Sequence, residues 1–112
     1  MQRYRTKIGG RPRETSQFVK VTNPYDGTLV GEVGLGSEAE IEAAILSSAD
    51  GFQQTKRLAT HERASIASAI AARIGARAEE LARLITLESG KPIRYARAEV
   101  SRVMVTPWKW AG

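Results

Sequence analysis

THERASIASAIAARIGARAEELARLITLESGKPIRYARAEV, residues 60–100, decides how this chain folds. Ile66, Ile70, Ile74, Ala78, Leu81 and Ile85 recur at steps of three and four, which draws one apolar stripe along a helix. Arg63, Arg73, Arg77, Glu79, Glu80 and Arg83 fall largely off that stripe. Glu79 precedes Arg83 by four residues, the favourable order for a helical ion pair. Thr60 is the expected cap, with Glu62 in a first turn where the helix dipole favours an anion. The stop is Ser89-Gly90-Lys91-Pro92: a glycine able to take the left-handed conformation, then a proline suited to opening the next helix. Ile93, Ala96, Val100 and Val103 continue the apolar pattern at once. A helix, a tight turn and a second helix are expected.

Upstream, Phe18-Val19-Lys20-Val21-Thr22 and Thr28-Leu29-Val30-Gly31-Glu32-Val33 read as two strands, rich in β-branched and aromatic residues. Asn23-Pro24-Tyr25-Asp26-Gly27 between them is turn chemistry, so residues 15–34 form a β-hairpin. Such a ribbon is marginal alone and needs something packed behind it. Ser37-Glu38-Ala39-Glu40 is a capping box that opens the first helix, with Ile41, Ala44, Ile45, Ser48, Ala49 and Phe52 as its buried face and an end before Leu58-Ala59. The last helix runs from Pro92 to about Val105, where Pro107 kinks or ends it. The expected fold class is α+β, mainly α: one N-terminal hairpin followed by three helices.

Composition narrows the function classes. The chain has 112 residues, enough for one domain with a modest core, and 42% apolar and 26% charged residues are ordinary for a globular protein. No apolar run approaches the roughly 20 residues of a membrane helix. There is no cysteine, hence no disulfide, thiolate metal site or thiol nucleophile. The net charge of +5 is concentrated: Arg3, Arg5, Lys7, Arg11 and Arg13 against Glu14 give residues 1–14 a charge of +4. Nucleic-acid binding would therefore rest on a short arm, and a solvated, disordered tail is the expected reading. The arm is Arg-rich and acid-poor like a mitochondrial transit peptide, but short and weakly amphipathic, so the cytoplasm is the expected compartment and the mitochondrion the second choice.

Four stretches invite a functional reading. Gly34-Leu35-Gly36-Ser37-Glu38-Ala39 fits G-x-G-x-x-A between a strand and a helix, the setting of a dinucleotide fingerprint. Glu38 and Glu40, however, put two negative charges where a pyrophosphate would sit, and no parallel strand with a terminal acid follows. Gly90-Lys91 suggests a phosphate loop, but Pro92 stands where a Ser or Thr must bind magnesium. His61 is the only histidine and reads as a surface or capping residue at a helix start. Trp108 and Trp110 suit a packing interface better than a ligand platform. The residues assemble no nucleophile, base and oxyanion donor, so no catalytic or cofactor-binding residue is assigned.

Several segments in order resemble the NAD(P)-dependent aldehyde dehydrogenases: Asn23-Pro24-Tyr25-Asp26-Gly27, Gly31-Glu32-Val33, Ile41-Glu42-Ala43-Ala44-Ile45, His61-Glu62-Arg63, Glu79-Glu80-Leu81-Ala82, Leu87-Glu88-Ser89-Gly90-Lys91-Pro92 and Ala98-Glu99-Val100. The resemblance covers residues from about Val21 to Gly112. It implies that residues 15–112 are the N-terminal part of a cofactor-binding domain, incomplete in itself, preceded by the basic arm of residues 1–14. In that family a cysteine attacks an aldehyde, hydride passes to NAD or NADP, and water releases a carboxylate; none of those residues is present to carry over. NAD or NADP is implied by the resemblance only, and neither is expected to bind these residues alone. Thr106-Pro107-Trp108 echoes a family cofactor-loop motif but falls where the preceding helix belongs, so the echo is read as accidental. Some relatives hold a structural monovalent cation through backbone carbonyls, and the matching positions are Thr22 and Glu88. The expected partners are the remainder of an aldehyde dehydrogenase domain or a second copy of the chain. The alternative reading is a stand-alone helical protein-interaction module, or a remnant, without enzymatic activity.

Overall fold

In the computed structural model, which describes residues 2–109, the chain divides into two compact units, Met1–Arg57 and Leu58–Gly112. The first unit holds five strands and one helix. Strands β1 (Arg3–Tyr4), β4 (Gln17–Thr22) and β5 (Leu29–Leu35) form one sheet in the order β1-β5-β4, and β2 (Thr6–Ile8) pairs with β3 (Arg11–Arg13) in a second. The predicted hairpin is β4–β5, antiparallel, with Val19 opposite Val33 and Lys20 opposite Glu32, and an irregularity between Val21 and Thr22. Its turn closes through Asn23 N–H to Thr28 O (2.8 Å) and Gly27 N–H to Asn23 O (2.8 Å). Asp26 Oδ1 accepts from both the Thr28 amide (3.0 Å) and its hydroxyl (2.7 Å), the side-chain turn bonding expected of Asp.

The basic arm is not a disordered tail, a correction to the charge-based reading. β1 lies parallel to β5, with Arg3 opposite Glu32. The Arg3 guanidinium donates twice to Glu32 Oε2, at 3.1 and 2.9 Å, and stands 4.4 Å above the centre of the Phe18 ring. Arg5 pairs with Glu14 at 2.8 Å. Gly9 and Gly10 both have positive φ (57° and 76°), which permits the two-residue connection from Ile8 to Arg11. Ile8 is buried. Glu32, distant in sequence, and Glu14, within the arm, pair with its first two arginines, and a glycine pair turns it. The arm belongs to the first of the two compact units, Met1–Arg57.

Helix α1 (Glu38–Thr55) begins where expected, and Glu40 reaches back to accept the Ser37 amide at 2.8 Å and the Ser37 hydroxyl. Its predicted buried face is open within the first unit: Ile41 and Ile45 are each 57% exposed and Phe52 is 61% exposed.

The second unit is three helices, not two. The long predicted helix breaks at Arg77 (φ −115°, ψ 17°) into α2 (Thr60–Ala76) and α3 (Ala78–Ser89). Arg77 caps the new start, and its guanidinium donates to Glu80 at 2.9 and 2.6 Å. Glu79 and Glu80 then occupy a first turn that favours anions. Thr60 is the first helical residue rather than the cap. That place belongs to Ala59, whose amide donates to Glu62 Oε2 at 2.7 Å. Gly90 ends α3 at φ 72°, as predicted, with its amide on Thr86 O at 2.9 Å. Helix α4 (Ile93–Lys109) runs past Val105 and through Pro107; a proline removes one donor but does not forbid further turns. Ala82, Ala96 and Val100 form the buried centre, with Ile74, Ala78, Leu81, Ile85 and Ile93 packed around them. Two alanines with no exposed surface let α3 and α4 approach closely. The upper stripe stays open, with Ile66 50% and Ile70 49% exposed.

Candidate functional site

The fingerprint-like turn is engaged by a glutamate of its own helix. β5 ends at Leu35 and α1 starts at Glu38, so Gly36 and Ser37 form the strand-to-helix turn. A bound pyrophosphate would need the free amides of that helix start. The Ser37 amide and hydroxyl are already given to Glu40, and these two bonds, the hydroxyl's the stronger influence, hold the Glu40 carboxyl below its ordinary pKa. The turn therefore carries permanent negative charge at neutral pH. Gly34 has a packing reason of its own: a Cβ there would lie 2.7 Å from Thr15 Oγ1 and 3.2 Å from Thr6 Oγ1, and Thr6 donates to the Gly34 carbonyl at 3.0 Å. The glycine spacing serves threonine contacts.

Around the Ser89–Pro92 hinge the cations are engaged. Lys91 Nζ pairs with Glu99, which lowers the Glu99 pKa from its ordinary value, chiefly through that hydrogen bond. Further along the α3–α4 contact, Glu79 accepts from Arg97 at 3.0 and 2.8 Å and from Arg83 at 3.3 Å. These bonds, Arg97 first, hold the Glu79 carboxyl at about 2. The Glu79–Arg83 pair was legible in the sequence; Arg97, eighteen residues on, was not. The first pair ties the hinge to α4, and the second cluster ties α3 to α4.

Thr22, at the end of β4, lies in the first unit and Glu88, in the last turn of α3, in the second. The helical partner of the Glu88 carbonyl would be the amide of residue 92, which is a proline, so the ladder leaves that oxygen unclaimed. Among the described residues no group of three His, Asp or Glu could hold a metal ion, and no helix is long and apolar enough to cross a membrane. His61 is exposed in the first turn of α2. Trp110 lies outside the described residues, as does the side chain of Trp108. The feature that sequence reasoning missed is a groove of about 280 Å³ on the second unit, lined by Leu81, Leu84, Ile85, Val100 and Val103 with Glu88 and Glu99. Its signal was the shared apolar period of α3 and α4.

The aldehyde dehydrogenase family model matches residues 11–111. Malonate-semialdehyde dehydrogenase of Bacillus pumilus is 33% identical over 104 residues, 91% of this chain and 21% of that protein. Mitochondrial succinate-semialdehyde dehydrogenase of Arabidopsis thaliana is 35% identical over 96 residues, 84% of this chain and 18% of that protein. Among solved structures, aldehyde dehydrogenase 21 of Physcomitrella patens, in complex with the reaction product succinate, superposes with a TM-score of 0.90 at 28% identity. That match covers 98% of this chain and 23% of the other. NADP-dependent glyceraldehyde-3-phosphate dehydrogenase of Bacillus halodurans gives 0.93 at 26% identity, over 99% and 24% of the two chains. The chain thus spans about a fifth of the length of the relatives it matches, and on the match over residues 11–111 it belongs to the aldehyde dehydrogenase family.

Proposed function

We propose that this chain is the N-terminal scaffold of a cofactor-binding domain in an enzyme that oxidises an aldehyde to a carboxylate with NAD or NADP. The observation that carries the reading is the family match over residues 11–111. The chemistry comes from outside these residues. The chain has no cysteine to form a thiolate, and the turn before α1 is filled by Glu40. What it contributes is shape: a sheet, a bent helical unit, and apolar faces for later parts of the domain to cover. The relatives named above make short semialdehydes the first substrates to test.

A chimera tests this. Residues 11–111 replace the matching segment of the Bacillus pumilus enzyme, and NAD(P)H formation is followed with malonate semialdehyde. Turnover above a buffer control is the expected result. A soluble chimera that melts cooperatively yet shows no turnover would overturn the reading.

A further inference from the structure

Both aspartates of this chain, Asp26 and Asp50, are followed by glycine. That dipeptide is prone to isomerise, because the glycine nitrogen has no Cβ beside it to hinder attack. The nitrogen bonds to the aspartate Cγ, its proton leaves with the carboxyl hydroxyl as water, and a succinimide ring closes. Water then opens the ring at either carbonyl. One opening restores aspartate; the other leaves isoaspartate, whose main chain runs through the side-chain carbon. Nothing is oxidised or reduced, and the final mass is unchanged. The reaction needs a free amide and a mobile, neutral carboxyl group, since a carboxylate is a poor electrophile.

The two sites are held in different ways. Asp50-Gly51 lies inside α1, where the helical ladder engages the glycine amide. Asp26-Gly27 lies in the exposed turn between β4 and β5, with Gly27 at φ 72°. Three hydrogen bonds restrain it. The Gly27 amide, which would be the nucleophile, donates to Asn23 O at 2.8 Å. Asp26 Oδ1, on the group it would attack, accepts from the Thr28 amide at 3.0 Å and the Thr28 hydroxyl at 2.7 Å. These two bonds, the hydroxyl's first, hold the Asp26 carboxyl below its ordinary pKa and so deplete the neutral form. Asn23 has no such route, because Pro24 lacks an amide proton.

We propose that the Asp26-Gly27 turn is a spontaneous isomerisation site held shut by the Thr28 hydroxyl. Conversion adds a methylene to the main chain of the turn and displaces the Gly27 amide from Asn23. Turn geometry sets hairpin register, and β5 is the central strand of its sheet, so the damage falls on the whole sheet.

Thr28→Val removes the hydroxyl but keeps the branched shape and the amide, whereas Thr28→Ser keeps the hydroxyl. The 112-residue chain and both variants are aged in mildly acidic buffer at physiological temperature, and again in guanidinium chloride. Peptide mapping with electron-transfer fragmentation counts isoaspartate at each site. In buffer, Asp26 converts several-fold more slowly than in denaturant in the parent and in Thr28→Ser. Thr28→Val converts several-fold faster than the parent at Asp26, while Asp50 stays unconverted in all three folded chains. Equal rates at Asp26 in buffer and denaturant for the parent would show that the turn is not restrained. Thr28→Val matching the parent, or Thr28→Ser matching Thr28→Val, would remove the hydroxyl as the guard. A rise at Asp50 as large as that at Asp26 would assign the effect to unfolding. Each of these results overturns the proposal.

Discussion

Gly90→Ala tests the hinge that turns α3 into α4. Gly90 sits at φ 72° and ψ 8°, and its amide bonds the Thr86 carbonyl at 2.9 Å. Alanine can keep that bond but places a Cβ against the following carbonyl, a cost of about 1–2 kcal/mol. Restricting the unfolded chain returns about 0.4–1 kcal/mol, so a net loss near 1 kcal/mol is expected. Gly51→Ala is the matching control. Gly51 is inside α1, its φ is not left-handed, and a Cβ would meet nothing within 4 Å. There the same substitution should stabilise by about 0.5–1 kcal/mol. Urea unfolding followed by circular dichroism reads both. Gly90→Ala should lower the midpoint by roughly 0.5–1 M at constant slope, and Gly51→Ala should raise it. A neutral or stabilising Gly90→Ala would refute the left-handed cap.

Arg3→Ala should destabilise the first unit by about 1–2 kcal/mol, since Glu32 is only 7% exposed and would lose both its charged bonds, while the exposure of Arg3 tempers the loss; a melt of the variant that matches the parent would contradict the β1 contact. Ala96→Leu should cost about 1–3 kcal/mol, because Ala96 has no exposed surface at the α3–α4 contact; an unchanged urea midpoint would show that the helices part freely. Glu79 gives a pH signature. Its folded pKa is about 2 against an ordinary 4.5, so its pairing contributes in full above 4.5 and is lost as pH falls through 2. Glu79→Gln should therefore flatten the acid limb of the stability curve, and an unaltered limb would remove Arg97 and Arg83 as its partners.

The hairpin, the Ser37 start and the Gly90 stop were legible because each is written in adjacent residues: turn formers, a cap with its glutamate, a glycine before Lys-Pro. The arm was misread because its order depends on pairing with β5, where Glu32, far along the chain, meets Arg3. Net charge over a window counts the cations and cannot see their partners. The break at Arg77 had a local signature that the continuous apolar stripe hid: Gly75 and Arg73 near an end, Glu79 and Glu80 after a start. The stripe persisted across the break because α2 and α3 both serve the buried centre. The rejection of the fingerprint turn followed from its carboxylates and from the missing parallel strand, and the structure added a reason for its first glycine in Thr15 and Thr6. The groove required two helices brought together through Ala82 and Ala96, and no single segment spells that out.

Calorimetric titration of NAD+ and NADP+ into the 112-residue chain addresses the central claim, that these residues supply scaffold and not chemistry. The claim predicts no saturable heat with either nucleotide, because the helix start beside Ser37 is filled by Glu40 and flanked by Glu38. Stoichiometric binding in the micromolar range or tighter would contradict it.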